Sequence, residues 1–273
     1  LGGEWGGAAL LAVENAPPGW RARFGMVPQL GAPVGFIAAN GLFLLIGMGL
    51  SEADFAAWGW RIPFLASAIL VGLGLWVRLK INETPEFTQA LAQEPPIPIP
   101  IGELLRHHAL ATFAGTFAVV ACFAIFYLST AFALAHGTTA LTYQREVFLS
   151  IQLAAILFLV LGIIISGVRS DATSPARVLI GGCAATIVIG LMFGPLLGSG
   201  SLWLVWAALS LALFVMGFVY GPLGAWLPSL FPPRVRYTGA SVAFNAGGIL
   251  GGAAAPIAAQ ALSEIGGTSL VGL

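Results

Sequence analysis

The side chains that could do chemistry are those standing where the surrounding sequence is apolar. The first is Glu4 in LGGEWGGAALLAVENAPPGWRAR, between the glycines at 2, 3, 6 and 7. A charge at the centre of a membrane helix costs about 2.5–3.5 kcal/mol even on the lenient insertion scale. Apolar surroundings favour the neutral acid, and a carboxyl that gains a proton on one side and loses it on the other is what a proton-driven carrier needs. If the helix ends near Glu14, Glu4 lies ten residues back. That is about 15 Å along the axis, near the middle of a hydrocarbon core of about 30 Å. Trp5 beside it could hold a cationic group on its ring, or could simply pack. A structural acid hydrogen-bonded within a bundle is the alternative for Glu4.

A second kind of site combines acids and arginines at helix ends. Glu14 would end its helix where the macrodipole disfavours an anion, so it calls for a cation: Arg21, Arg23 or an arginine on another loop of the same face. Pairs of that kind can hold one face of a two-state carrier closed and break when it opens. Asp171 with Arg169 or Arg177 is a weaker version, and Arg234 and Arg236 belong to the same set. Asn40, Tyr127 and Gln152 are candidates for a central cavity, because each is expensive against lipid. Gln29, Thr130, Tyr220 and Asn245 share that reasoning. Gln29 and Asn245 begin helices in matching positions, which favours a structural role. For any of these an interhelical hydrogen bond competes with a ligand contact. Arg61, next to Trp58 and Trp60, reads as an interfacial anchor, Glu83 as a possible member of the arginine network, and His107 and His108 as interface residues. Cys122 and Cys183 both fall in apolar runs and read as two buried small residues. No H-E-x-x-H, C-x-x-C or phosphate-binding loop occurs, so neither enzyme chemistry, a metal nor a cofactor is implied.

The elements that must position these residues are membrane helices. Apolar types make up 58% of the chain and charged types 8%, and the zero net charge leaves no electrostatic footprint for nucleic acid. The expected fold is an all-α polytopic membrane protein in contact with the lipid bilayer. Charge-free intervals place seven complete spans near 27–50, 59–79, 109–134, 147–167, 178–198, 202–224 and 239–261, after a partial helix at 1–14. The 56 uncharged residues from Val178 to Pro233 must make two crossings, with GPLLGSGS at 194–201 as the hairpin. Alternate loops hold nine Lys and Arg residues (Arg21, Arg23, Arg78, Lys80, Arg106, Arg169, Arg177, Arg234, Arg236) against two, Arg61 and Arg145. The first set therefore faces the cytoplasm. Residues 81–108, with QEPPIPIPIGELLRHH, read as an extended polyproline-like cytoplasmic linker between helical bundles at 1–80 and 109–273. The chain starts in an apolar segment without a methionine, which suggests a piece of a longer protein lacking helices at both ends.

An internal repeat supports the two-bundle reading. ENAPPGWRARFG at 14–25 and SLFPPRVRYTG at 229–239 each end an outside-to-inside helix, follow it with Pro-Pro and paired arginines, and open the next helix near a glycine. These segments, with WGWRIPFLAS, RLKINETPEF and FPPRVRYTGASVAFNAGG, resemble the metabolite:proton symporter branch of the major facilitator superfamily, which includes proline/betaine, α-ketoglutarate and shikimate permeases. The resemblance covers essentially the whole chain. It implies a two-bundle fold of twelve helices, here incomplete and matching helices four to eleven, so that the first three and the last would be missing. GVRSDATSPAR at 167–177 keeps only Gly167, Ser170, Asp171 and Arg177 of that family's G-x-x-S-D-R-x-G-R-R loop. Ser229 stands where the family usually has a glutamate, and CFAIFYLSTAF lacks a Glu-Asn that many relatives carry. The loss of that carboxylate predicts a second latch that relies less on charge. The expected activity is symport of a small polar metabolite, an organic acid or zwitterion, with protons at the inner membrane. An uncoupled facilitator or an exporter is the alternative; a membrane enzyme or receptor is the third.

Overall fold

The computed structural model describes residues 4–80 and 100–271, apart from the side chains of Glu4, Arg78 and Pro100. Every regular element among them is helical. Helix α1 (Glu4–Glu14) precedes seven helices long and apolar enough to cross a membrane. These are α2 (Arg21–Gly49), α3 (Glu52–Val77), α5 (Ala109–Thr139), α6 (Arg145–Ala172), α7 (Pro175–Leu197), α8 (Leu202–Ser229) and α9 (Pro233–Gly266). A short α4 (Pro100–His107) stands between α3 and α5. Each expected span has its helix, and the chain is a multi-pass membrane protein. The hairpin between α7 and α8 turns through Gly200, at φ +72°, a conformation that glycine adopts without steric cost.

The linker reading needs one correction. Residues 81–99 lie outside the described ones, Glu83 included, but 100–107 are helical rather than extended. Glu103 in the first described turn and Arg106 and His107 in the last suit the helix dipole. One face of α4 buries Leu104 against Phe231 and Val235, at the turn from α8 to α9.

The core is built around α8, which buries Val205, Leu209, Leu213, Met216, Leu223 and Leu227. Where α6 crosses it, glycines set the distance. A Cβ on Gly162 would meet the Phe214 carbonyl, one on Gly217 the Leu159 carbonyl, and one on Gly221 the Ser166 hydroxyl. In lipid, such backbone-to-backbone packing replaces the hydrophobic drive that holds soluble helices together. Helix α3 contributes little to this core, with its apolar side chains facing outward and Phe43 of α2 an aromatic neighbour of Phe55 and Phe64. Cys122 is buried as expected, but Cys183 is exposed on α7; both thiols are free.

Candidate functional site

The arginine-rich ends of the helices converge. Helix α1 ends on Glu14, and the Arg236 guanidinium donates to its Oε1 at 3.2 Å from the first turns of α9. The two side chains are 8% and 19% exposed, and Arg236 also donates through Nε to the Phe231 carbonyl. The pair therefore lies between the exposed case, worth up to about 1 kcal/mol, and the buried one, where breaking it costs about 3–5 kcal/mol.

Asp171 makes the second connection, and its partner is neither Arg169 nor Arg177. It sits in the last turn of α6 and reaches the start of α2, where Oδ1 accepts from the Ala22 N–H at 2.8 Å and Oδ2 from the Arg23 N–H at 3.1 Å. Trp20 supplies no capping side chain there, so a carboxylate from another helix takes over the orphan donors at the positive end of the α2 dipole. The Arg23 Nε lies 3.5 Å from Oδ2, and the guanidinium stacks 4.5 Å over the Trp20 ring. Arg21 is exposed at the head of α2 and Arg234 at that of α9. Arg177 stands apart from both ion pairs: its backbone N–H is capped by Ser174 and its side chain lines a separate groove with Arg169. Beside the Arg23 pair, α2 and α8 touch through their backbones. A Cβ on Gly224 would collide with the Gly25 carbonyl, and one on Gly25 would come within 2.8 Å of the Ala225 nitrogen.

Away from these ion pairs, α1 is stitched to the later helices. The Trp5 indole lies flat on Phe244 with centroids 3.8 Å apart, and its Nε1 donates to Gln29 Oε1 at 2.9 Å. Gln29, fully buried, donates onward to the Tyr220 carbonyl at 3.1 Å. The close approach of α1 to α9 depends on Gly6, where a Cβ would meet the Ser241 hydroxyl. Trp5 also walls an open cavity of about 620 Å³ with Phe123, Tyr127, Phe244 and Asn245. Gly252 and Gly248 of α9 leave room for the rings of Tyr127 and Phe123: a Cβ would stand 2.8 Å and 3.4 Å from them. The walls are aromatic faces with one amide, which can stack on a planar or cationic group and orient it by a hydrogen bond.

Of the five residues expected at a central site, Trp5 and Tyr127 reach this cavity. Glu4 opens α1, but its side chain lies outside the described residues. Asn40 and Gln152 do not belong to the cavity. Asn40 donates to the Phe36 carbonyl of its own helix. Gln152 is buried in α6 and donates to the Ser129 and Thr130 carbonyls at 3.0 and 2.8 Å. Those carbonyls belong to a π turn at Leu128–Phe132, where the widened register leaves backbone acceptors to be satisfied from outside the helix. Phe123 and Phe244 were missed; Asn245, a cavity candidate for which a structural role was favoured, lines the cavity. The signal available was the spacing of 244, 248 and 252 on one face of α9 against 123 and 127 on one face of α5.

Seven helices long and apolar enough to cross a membrane, with charged ends tied together and an aromatic cavity beside α1, define a polytopic helical bundle. The Major Facilitator Superfamily model matches residues 26–256, and the chain belongs to that family. It is 44% identical, over its whole length, to the inner membrane metabolite transport protein YhjE of Escherichia coli, of which it covers 63%. It is 35% identical to the E. coli shikimate transporter over 96% of the chain and 60% of that protein. With the E. coli proline/betaine transporter the identity is 26%, over 95% of the chain and 54% of that protein. The chain thus spans less than two thirds of the length of each.

Proposed function

We propose that the chain is the greater part of a secondary transporter of the inner membrane, moving a small polar metabolite with protons by alternating access between helical bundles at 1–80 and 109–273. The observation that carries the reading is the double ion pair at the arginine-rich end: Glu14 with Arg236, and Asp171 with Arg23 and the head of α2. Both join the first segment of the chain to the second, 222 and 148 residues away in sequence. Ties of this kind, repeated around one mouth, suit a gate better than a permanent joint, because a partly buried ion pair is exchangeable for water at modest cost. The names of relatives, a shikimate and a proline/betaine transporter, support a carboxylate or zwitterion as cargo.

Glu4 is the proposed proton carrier, with Trp5 and Tyr127 beside the cargo. Glu14, Asp171, Arg23 and Arg236 form the cytoplasmic gate, and Arg21 and Arg234 add positive charge around it. The test is uptake of radiolabelled shikimate, proline, betaine and related acids by the full-length protein in proteoliposomes under an imposed pH gradient. Accumulation that collapses with a protonophore is expected. Accumulation indifferent to it identifies an uncoupled facilitator and overturns the coupling. Glu4→Gln is expected to lose proton-driven accumulation while keeping counterflow exchange; unchanged accumulation removes Glu4 from the mechanism.

A further inference from the structure

A second cavity, also about 620 Å³, opens between α6, α7 and α8 and shares no lining residue with the Trp5 cavity. Its floor is Phe214, Val215 and Phe218 of α8; its walls are Ile165 of α6 and Gly181 and Ala185 of α7. Its mouth is rimmed by Arg169, in the last turn of α6, and Arg177, in the first turn of α7. From Arg177 to Ala185 is eight residues, about 12 Å of helix, so the groove descends from the level of the helix ends well into the hydrocarbon. Below the arginines and Thr173 its lining carries no polar side chain.

The two arginines differ from those of the gate. Arg23 and Arg236 meet Asp171 and Glu14, whereas Arg169 and Arg177 are exposed and have no acidic partner among the described residues. The excess of arginine and lysine on this face assigns it to the cytoplasmic leaflet, where anionic headgroups are concentrated. A small anion would use the rim and leave the groove idle; an apolar molecule would use the groove and leave two guanidiniums unanswered. A molecule with a phosphate at one end and an acyl chain at the other uses both, and guanidinium is the side chain best matched to phosphate oxygens.

We infer that this groove is a binding site for an anionic phospholipid of the cytoplasmic leaflet, its phosphate held by Arg169 and Arg177 and one acyl chain lying against Phe214 and Phe218. The site does not depend on what the protein transports.

The test is native mass spectrometry of the full-length protein released from detergent, titrated with phosphatidylglycerol and, separately, with phosphatidylcholine. Phosphatidylglycerol is expected to remain bound in preference to phosphatidylcholine. Arg169→Gln with Arg177→Gln should weaken that binding by roughly tenfold or more. Gly181→Leu should do the same by filling the groove, since a Cβ there meets nothing within 4 Å. Arg106→Gln, which removes an exposed charge of the same face on α4, should change nothing. Equal retention of the two lipids, or undiminished phosphatidylglycerol binding in both groove variants, overturns the inference. Displacement of the lipid by millimolar inorganic phosphate would identify an anion site instead and overturn it too.

Discussion

Gln29 and Gln152 are nearly inaccessible amides that differ in what they hold together. Gln152 serves the interior of the later helices, closing a π turn. Gln29 links Trp5 of α1 to the Tyr220 carbonyl of α8. Leaving a buried polar group unpaired costs about 1–3 kcal/mol, so Gln152→Leu should lower the midpoint of thermal unfolding by several degrees. Because Gln152 does not line the cavity, the same variant should leave the substrate concentration at half-maximal uptake unchanged, which a transport titration would check. Trp5→Phe can keep the stack on Phe244 but orphans Gln29 Oε1. It should therefore loosen α1, read as faster hydrogen exchange in 4–14. The sequence shows that both amides are too costly for lipid. It cannot show which backbone carbonyl each one reaches, because a π turn and a partner 191 residues away are consequences of packing rather than of local pattern.

At the level of the helices, the repeat explains an asymmetry in the two ion pairs. Arg23 and Arg236 hold matching places after the two Pro-Pro pairs, and Glu14 and Ser229 hold matching helix ends. Arg236 finds Glu14, but the equivalent acid for Arg23 is missing: Ser229 turns its hydroxyl back to the Trp226 carbonyl. Arg23 goes to Asp171 instead, and its Nε is buried without a hydrogen-bond partner. Ser229→Glu should therefore strengthen the closed state by up to about 1 kcal/mol, seen as slower uptake with higher thermal stability. Gly224→Val acts the other way. It drives a side chain into the Gly25 carbonyl, at an overpacking cost of about 1–3 kcal/mol. It should favour the open cytoplasmic mouth, measured as faster alkylation of a cysteine introduced at Ala225. The converging arginines were legible from charge and repeat alone. The choice of Asp171 as partner was not, since Arg169 and Arg177 are nearer in sequence and only the fold carries Asp171 to the head of α2.

Across the whole molecule, the spans were the most legible feature, because hydropathy and charge-free length are set by the bilayer rather than by packing. The residues that choose which helix touches which were less so: glycines are scattered through every span, and only coordinates separate Gly162, Gly217 and Gly224, which meet a neighbour's backbone, from Gly35 and Gly41, which meet open space. What this geometry adds to the sequence is a pair of ties across the chain, Glu14–Arg236 and Asp171–Arg23, which the proposed function reads as the fastenings of a closed state. The most direct measurement is the distance between spin labels at Asn15 and Thr173, both exposed at that face, in full-length protein carrying Cys183→Ser. Glu14→Gln with Asp171→Asn should transfer the labels from the short distance to a longer population, shifting the ratio by roughly tenfold or more for a loss of about 2 kcal/mol. An unchanged distance distribution in a folded double variant would mean that these ion pairs fasten nothing that moves.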